Sequence, residues 1–130
     1  MVLTVTLAAA AAAAIVNLWL SIRAGQVRHQ AGVSIGDGGN ELLVRRMRAH
    51  ANFIENAPLV LILIAAIELA RPDTQWLAWV AAAFILGRLA HGFGMDGGAL
   101  GKGRMIGTLI TMLTLLGLAL YAGALLLRMA

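Results

Sequence analysis

Four stretches of the chain are predominantly apolar over the length that a helix needs to cross a bilayer. A hydrocarbon core of about 30 Å requires about 20 such residues in a helix. Lipid offers no hydrogen bonds to an exposed backbone, so segments of this kind fold as complete helices. The pattern predicts an all-α integral membrane protein, a four-transmembrane-helix bundle that forms one domain over residues 1–130. The spans are expected at about residues 2–22, 51–70, 74–93 and 105–127.

Composition excludes several classes of protein. Hydrophobic residues make up 61% of the chain, whereas soluble domains contain about 45–50%. The absence of cysteine excludes disulfides, thiolate metal sites and a cysteine nucleophile, and no metal site is expected. The net charge of +4 is attributed to membrane topology and not to nucleic-acid binding. Because so small a bundle has little interior, we expect a binding site between chains of a homo-oligomer.

A polar segment begins at Arg23, directly after the first apolar stretch, and is expected to form the first loop with a tight turn at Gly36–Gly39. Asn40 is a good helix N-cap, and helical sequence continues over residues 41–70. That helix would be about 45 Å long, so its Asn40 end is expected to project from the membrane. The first stretch is interpreted as a retained helix because no basic segment precedes it.

The distribution of basic residues predicts the orientation. The second loop carries only Arg71, and the C-terminus carries only Arg128. The positive-inside rule therefore places the first and third loops in the cytoplasm and both termini on the other side. The basic residues around those two loops are Arg23, Arg28, Arg45, Arg46, Arg48, Arg88, Lys102 and Arg104.

A polar stripe runs along one side of the second helix and consists of Arg45, Arg48, Asn52 and Glu55. At about 100° per residue, these positions fall within an arc of about 80°. Charged residues inside a membrane usually face a protein interior or a wet cavity. A structural network of i,i+3 and i,i+4 contacts is one interpretation. The other is a site for a zwitterionic ligand with several carboxylates, since arginine forks hold carboxylates and a glutamate holds an ammonium.

Other polar residues lie in the remaining spans. Arg88 and His91 are three residues apart on one face of the third span, where a histidine either packs or takes part in a site. Arg104 marks the start of the fourth span, as a topology anchor or a functional cation. Glu68 lies near Arg71 at the end of the second span, and an interfacial ion pair between them is expected.

The run from Arg48 to Pro58, RAHANFIENAP, resembles the second-helix signature R-A-x-x-N-x-x-E-x-x-P of the MAPEG family. This family comprises membrane-associated proteins in eicosanoid and glutathione metabolism. The hydropathy of the whole chain is similar to that of the family. The turn at Gly36–Gly39 and the stretch Gly87–His91 look like its small bacterial branch, which implies the cell inner membrane as the location.

The resemblance implies a homotrimer that binds glutathione between neighbouring subunits, as a co-substrate for reaction with a lipophilic small molecule arriving from the bilayer. Family members conjugate glutathione to electrophiles, reduce lipid hydroperoxides or isomerise an endoperoxide. Arg104 corresponds to a catalytic arginine that stabilises the thiolate, with Lys102 as the competing cation. A nearby guanidinium favours the thiolate over the thiol, and the thiolate is the nucleophile. The implied glutathione-binding residues are Arg28, Arg45, Arg48, Asn52 and Glu55, and His91 is the candidate to replace a family tyrosine as a hydrogen-bonding group.

The chain also departs from the eicosanoid enzymes of the family. Asn56 stands where they have a tyrosine, and His91 and Met95 stand where their third helix has tyrosines; the only tyrosine here is Tyr121. Two alternatives to an enzyme follow. One is a small proton-coupled multidrug transporter, although the first span has no acid for that purpose. The other is a catalytically silent membrane assembly protein that keeps only the structural network.

Overall fold

The computed structural model describes residues 2–130, so residue 1 of the predicted domain lies outside the described residues. All four long helices have the length and hydropathy needed to cross a membrane. The prediction of an all-α bundle with four transmembrane helices is therefore confirmed. The helices are α1 (Thr4–Ala31), α2 (Glu41–Ala70), α3 (Trp76–Gly94) and α4 (Lys102–Met129), and a short 3₁₀ helix (Gly98–Leu100) precedes α4.

Helix α1 is longer than expected, and the prediction that the first loop begins at Arg23 is wrong. The helix continues to Ala31, and Gly32 ends it in a left-handed conformation with φ of 66°. The amide of Val33 donates to the carbonyl of Arg28 at 3.0 Å, which closes the last turn. The polar residues after the first apolar stretch therefore extend the helix instead of forming a loop.

Helix α2 has the bounds that the sequence predicted. Asn40 is its N-cap, and its side-chain oxygen accepts a hydrogen bond from the amide of Leu43 at 2.9 Å. The helix passes through Pro58 without ending and continues to Ala70. Its 30 residues make it about 45 Å long, which exceeds the thickness of a bilayer core.

Helices α3 and α4 form an antiparallel hairpin in which glycines bring the two backbones together. A Cβ atom at Gly103 would lie 2.4 Å from the carbonyl oxygen of Ala90, and one at Gly107 would lie 2.3 Å from that of Gly87. Only glycine permits this approach, which follows the small-residue packing common between membrane helices. At the other end of the hairpin, Trp76 packs edge-on against Tyr121 with ring centroids 4.9 Å apart.

Glu68 near the end of α2 caps the start of α1. Its carboxylate accepts hydrogen bonds from the amides of Val5 and Thr6 at 2.9 and 2.8 Å and from the Thr6 hydroxyl at 2.7 Å. The predicted ion pair with Arg71 is therefore wrong. A carboxylate at a helix N-terminus satisfies free amides and complements the helix dipole, which makes this position more favourable than a pair at the interface.

Candidate functional site

Within the single chain, Arg48 and Glu55 of the polar stripe lie on the outside of the bundle. Arg48 and Glu55 are 3.9 Å apart, and their side chains are 59% and 57% exposed. A pair this long and this exposed contributes at most about 1 kcal/mol. Its two partners therefore remain available to a ligand or to a neighbouring chain.

Behind the stripe, the side chain of Arg88 is buried between α2, α3 and α4, with only 1% of the residue exposed. Its Nη2 donates to Oδ1 of Asn52 at 2.8 Å, and its Nη1 donates to the hydroxyl of Thr111 at 3.1 Å. Nη2 also lies 3.3 Å from Nδ1 of His91. We call Asn52, Arg88, His91 and Thr111 the buried cluster, and Asn52 belongs to both the cluster and the stripe.

His91 lies within the buried cluster, where its ring meets a group that can only donate hydrogen bonds. Because a guanidinium has no acceptor, the contact with Arg88 assigns Nδ1 of His91 as the acceptor and the ring proton to Nε2. Gly107 makes room for this histidine, since a Cβ there would lie 2.5 Å from the Cβ of His91. The structure thus brings His91 close to Asn52 through Arg88.

Arg45 lies at the Asn40 end of the stripe, with a partly exposed side chain. Its Nη2 contacts the carboxylate of Glu41 at 2.7 Å, and the two side chains are 43% and 80% exposed. It also lines a polar cavity of about 430 Å³ together with Asp96, Gly97 and Gly98. The structure places Arg45 beside the connection between α3 and α4, and not against Arg48.

Arg28 lies away from the stripe, between α1 and α2. Its Nη1 donates to the carbonyl of Gly36 at 2.7 Å, and its Nη2 lies 3.4 Å from the sulfur of Met47. With Met47 and His50 it lines a cavity of about 390 Å³. Asn52 of the stripe contacts α3 instead, so the Arg28 cavity and the stripe occupy different sides of α2 in one chain.

Arg104 lies in the first turn of α4 with an exposed side chain. The start of α4 is fixed against the end of α3, because a Cβ at Gly94 would lie 2.0 Å from the amide nitrogen of Arg104. Lys102, the competing cation, is exposed in the same turn. Among residues 2–130, the ion pairs do not include Arg104, so its charge is available to a ligand.

A sequence model of the MAPEG family matches residues 6–124. The chain belongs to this family. The match includes all of α2 and α3, most of α1 and α4, and every residue of the polar stripe and the buried cluster. Together with the four apolar helices, MAPEG membership makes this a multi-pass membrane protein of the glutathione and eicosanoid metabolism superfamily. No curated protein matches the chain.

Two features of this MAPEG protein were missed from the sequence. The first is the contact between Arg88 and Asn52; spacing indicated that Arg88 shares a face with His91 but not that this face meets α2. The second is an ion cluster in which Asp96 pairs with Arg23 of α1 and Arg46 of α2. A signal for it was present, because Asp96 is the only acidic residue after Asp73.

Within the ion cluster, Asp96 follows α3 and lies outside the membrane-spanning helices, whereas its partners Arg23 and Arg46 belong to α1 and α2. Burial disfavours the charged form of Asp96, but the hydrogen bonds from Arg46 and the charge of Arg23 outweigh it and hold the pKa of Asp96 below its ordinary value. Arg23 also stacks over the rings of Trp19 and Phe93, 4.9 Å from each centroid. The cluster fastens α1, α2 and the α3–α4 connection together at the Asn40 end of the bundle.

The described residues show no group of three metal-ligating side chains. Between Val2 and Ala130, no cluster of His, Asp or Glu has the proximity that a metal site requires. The titratable groups of the site are guanidiniums, one imidazole and one carboxylate. Such a set is suited to binding and polarising an organic anion.

Proposed function

We propose that the chain is a membrane-bound transferase for glutathione or a related thiol, or a thiol-dependent peroxidase, acting on lipophilic electrophiles. The observation that carries this proposal is the exposure of Arg48 and Glu55 on a membrane-spanning helix. An unscreened charge at mid-bilayer costs about 2.5–3.5 kcal/mol, which exceeds the stabilisation that the weak ion pair between Arg48 and Glu55 contributes. A polar ligand and a neighbouring subunit would cover both charges.

The placement of Arg28 supports a site between subunits. In one chain, its cavity and the polar stripe lie on different sides of α2, so the two cannot hold one ligand. In a ring of identical subunits, each interface joins two different sides of the chain, and we propose that one copy's stripe meets the next copy's α1–α2 side. A homotrimer would therefore join Arg28 of one subunit to Arg48 and Glu55 of the next, as the family resemblance implies.

The chemistry of the stripe matches the polar groups of glutathione. This tripeptide carries two carboxylates and one ammonium. Arg48 and Arg28 would hold carboxylates through charge-assisted hydrogen bonds, Asn52 would add a neutral one, and Glu55 would accept from the ammonium. Arg45 and His91 are the remaining candidates for contact with the peptide.

Arg104 is the proposed catalytic residue. A free thiol has a pKa of about 8.5, and an adjacent guanidinium shifts the equilibrium toward the thiolate. The thiolate attacks an electrophilic carbon, a carbon–sulfur bond forms, and the leaving group departs or the carbanion is protonated. With a hydroperoxide, the thiolate attacks the terminal oxygen and releases the alcohol; a second thiol converts the sulfenic acid to a disulfide and water.

The proposed location is the inner membrane, with the first and third connections in the cytoplasm and both termini on the opposite side. Glutathione would enter from the cytoplasm, because the stripe begins at the Asn40 end of α2. The lipophilic substrate would arrive laterally from the bilayer, where the helix surfaces are apolar. Both reactants would then meet beside Arg104, where the thiolate is stabilised.

Calorimetric titration of glutathione into the detergent-solubilised protein tests the proposal. The wild type is expected to bind, and Arg48→Ala and Glu55→Ala are each expected to weaken binding at least about tenfold. Arg128→Ala is the matched control, since this exposed arginine lies at the far end of α4. A folded, oligomeric wild type that does not bind glutathione would refute the proposal and favour the structural interpretation.

A further inference from the structure

Arg88 is a buried cation without a carboxylate partner. None of the ion pairs among residues 2–130 includes it, and its Nε is a buried donor with no hydrogen-bond partner in this part of the chain. Its two terminal nitrogens meet neutral groups, the amide of Asn52 and the hydroxyl of Thr111. A cation buried in this way is unfavourable for stability alone, which points to a role toward the stripe.

The contact with Arg88 determines which way the amide of Asn52 faces. A carboxamide presents an acceptor on one side and a donor on the other, and a flip of the group exchanges them. A guanidinium can only donate, so the oxygen of Asn52 must face Arg88, as the 2.8 Å contact shows. The amide nitrogen then faces away from Arg88, and it donates to none of the residues that the structure describes.

The guanidinium is itself held in place from α4. The hydroxyl of Thr111 donates its proton to the carbonyl of Gly107 at 2.9 Å, so its lone pairs are free to accept from Arg88 at 3.1 Å. Arg88 is thus fixed between Thr111 on α4 and Asn52 on α2. Rotation of the Asn52 amide would break one hydrogen bond and bring two donors together.

We propose that Arg88 is a positioning residue that fixes the amide of Asn52 with its N–H groups outward, where they act with Arg48 as donors to one carboxylate of the thiol ligand. Arg48 and Asn52 are i,i+4 neighbours on α2, so their donors lie one turn apart on the same face. This inference rests on the proposed function. It predicts that the ligand presents a carboxylate at this turn and its ammonium further along, at Glu55.

A double-mutant cycle in the glutathione titration tests the inference. Arg88→Met removes the donor at nearly constant length, leaves the amide free to flip, and is expected to weaken binding about tenfold. Arg88→Lys keeps a donor-only group and is expected to retain most of the affinity. In an Asn52→Ala background, Arg88→Met is expected to cause no further loss, because Arg88 acts through Asn52.

A purely structural or long-range electrostatic role gives the opposite result. In that case the effect of Arg88→Met would be the same with Asn52 or alanine present, and this outcome would overturn the inference. Equal binding by Arg88→Met and the wild type, with Arg48→Ala still defective, would overturn it while leaving the proposed function intact. A wild type that binds no glutathione would instead refute the proposed function itself.

Asn52→Asp provides a test that does not depend on the folding of Arg88 variants. The new carboxylate would neutralise Arg88 and raise the thermal stability of the protein. It would also direct an anionic oxygen outward and weaken glutathione binding at least about tenfold. A variant that binds glutathione as tightly as the wild type would show that position 52 does not present a donor to the ligand, and the inference would be wrong.

Discussion

Asp96 is the residue whose substitution most directly tests how the helices are fastened at the Asn40 end of the bundle. Its Oδ1 accepts from Nε of Arg46 at 3.2 Å, and its Oδ2 accepts from Nη2 of Arg46 at 3.0 Å and from Nη2 of Arg23. Asp96→Asn keeps the size of the side chain but removes its charge and one acceptor. The two guanidiniums would then face each other without an anion between them.

The burial of the three side chains determines how much Asp96→Asn lowers the free energy of unfolding. Asp96 is 27% exposed, Arg23 12% and Arg46 18%. Loss of one partner from a fully buried ion pair costs about 3–5 kcal/mol. Since Asp96 is a quarter exposed and water screens the remaining charges, we expect a loss of about 2–3 kcal/mol in the free energy of unfolding.

Thermal unfolding in detergent, followed by tryptophan fluorescence, measures this loss. Trp19 is a suitable reporter because Arg23 stacks on its ring at 4.9 Å. The midpoint is expected to fall by at least about 5 °C. Asp73→Asn is the matched control, because Asp73 is exposed in the α2–α3 connection and forms no ion pair with the described residues. An Asp96→Asn midpoint equal to that of the control would refute the reasoning.

The same cluster predicts an acid dependence of stability. The folded state holds the pKa of Asp96 below its ordinary value, which is about 3.9 in an unfolded chain. The stabilisation is therefore fully present above about pH 5 and is lost as the pH falls through the lowered folded pKa. The difference in unfolding midpoint between wild type and Asp96→Asn should shrink on acidification below about pH 4. A difference that does not change with pH would contradict this assignment.

Two further substitutions test contacts inside the bundle. Gly107→Ala places a methyl group 2.3 Å from a backbone carbonyl of α3 and should destabilise the protein by more than about 2 kcal/mol. The control Gly117→Ala, which has nothing within 4 Å, should be neutral or slightly stabilising. Equal thermal midpoints for the two variants would contradict the close packing of α3 on α4. Glu68→Gln removes the charge that caps α1 and should speed hydrogen exchange at the amides of Val5 and Thr6, with exchange in α3 as the internal control. Unchanged exchange at both amides would show that the cap does not protect them.

Local signals in the sequence were sufficient to predict the helices themselves. Hydropathy alone indicated four membrane-spanning helices, and Asn40 indicated the start of α2. The end of α1 was misplaced because its polar residues were interpreted as a loop. These polar residues have partners elsewhere in the fold; Arg23, for example, forms an ion pair with Asp96. The local signal for the true end was Gly32, a glycine at the position where a helix adopts a left-handed residue.

The candidate site was predictable only in part. Helical spacing placed Arg48 and Glu55 on one face, and the structure finds them 3.9 Å apart. Helical spacing cannot show which face of α3 meets which face of α2, so the link from Arg88 to Asn52 could not be predicted. The same limit explains the error at Glu68, where a partner near in sequence was expected and the real partners are 62–64 residues away.

Two of the polar contacts that hold α1 involve partners made at different stages of synthesis. Alanine dominates the first half of this helix, so it offers few bulky side chains for packing. Its ends are held instead by Glu68 and by Asp96, and the latter follows Arg23 by 73 residues. During synthesis, the Thr6 end of α1 therefore gains its partner once the end of α2 is made, whereas Arg23 gains its partner only once the α3–α4 connection is made. The ion pair that anchors Arg23 thus forms only after the chain beyond α3 has left the ribosome.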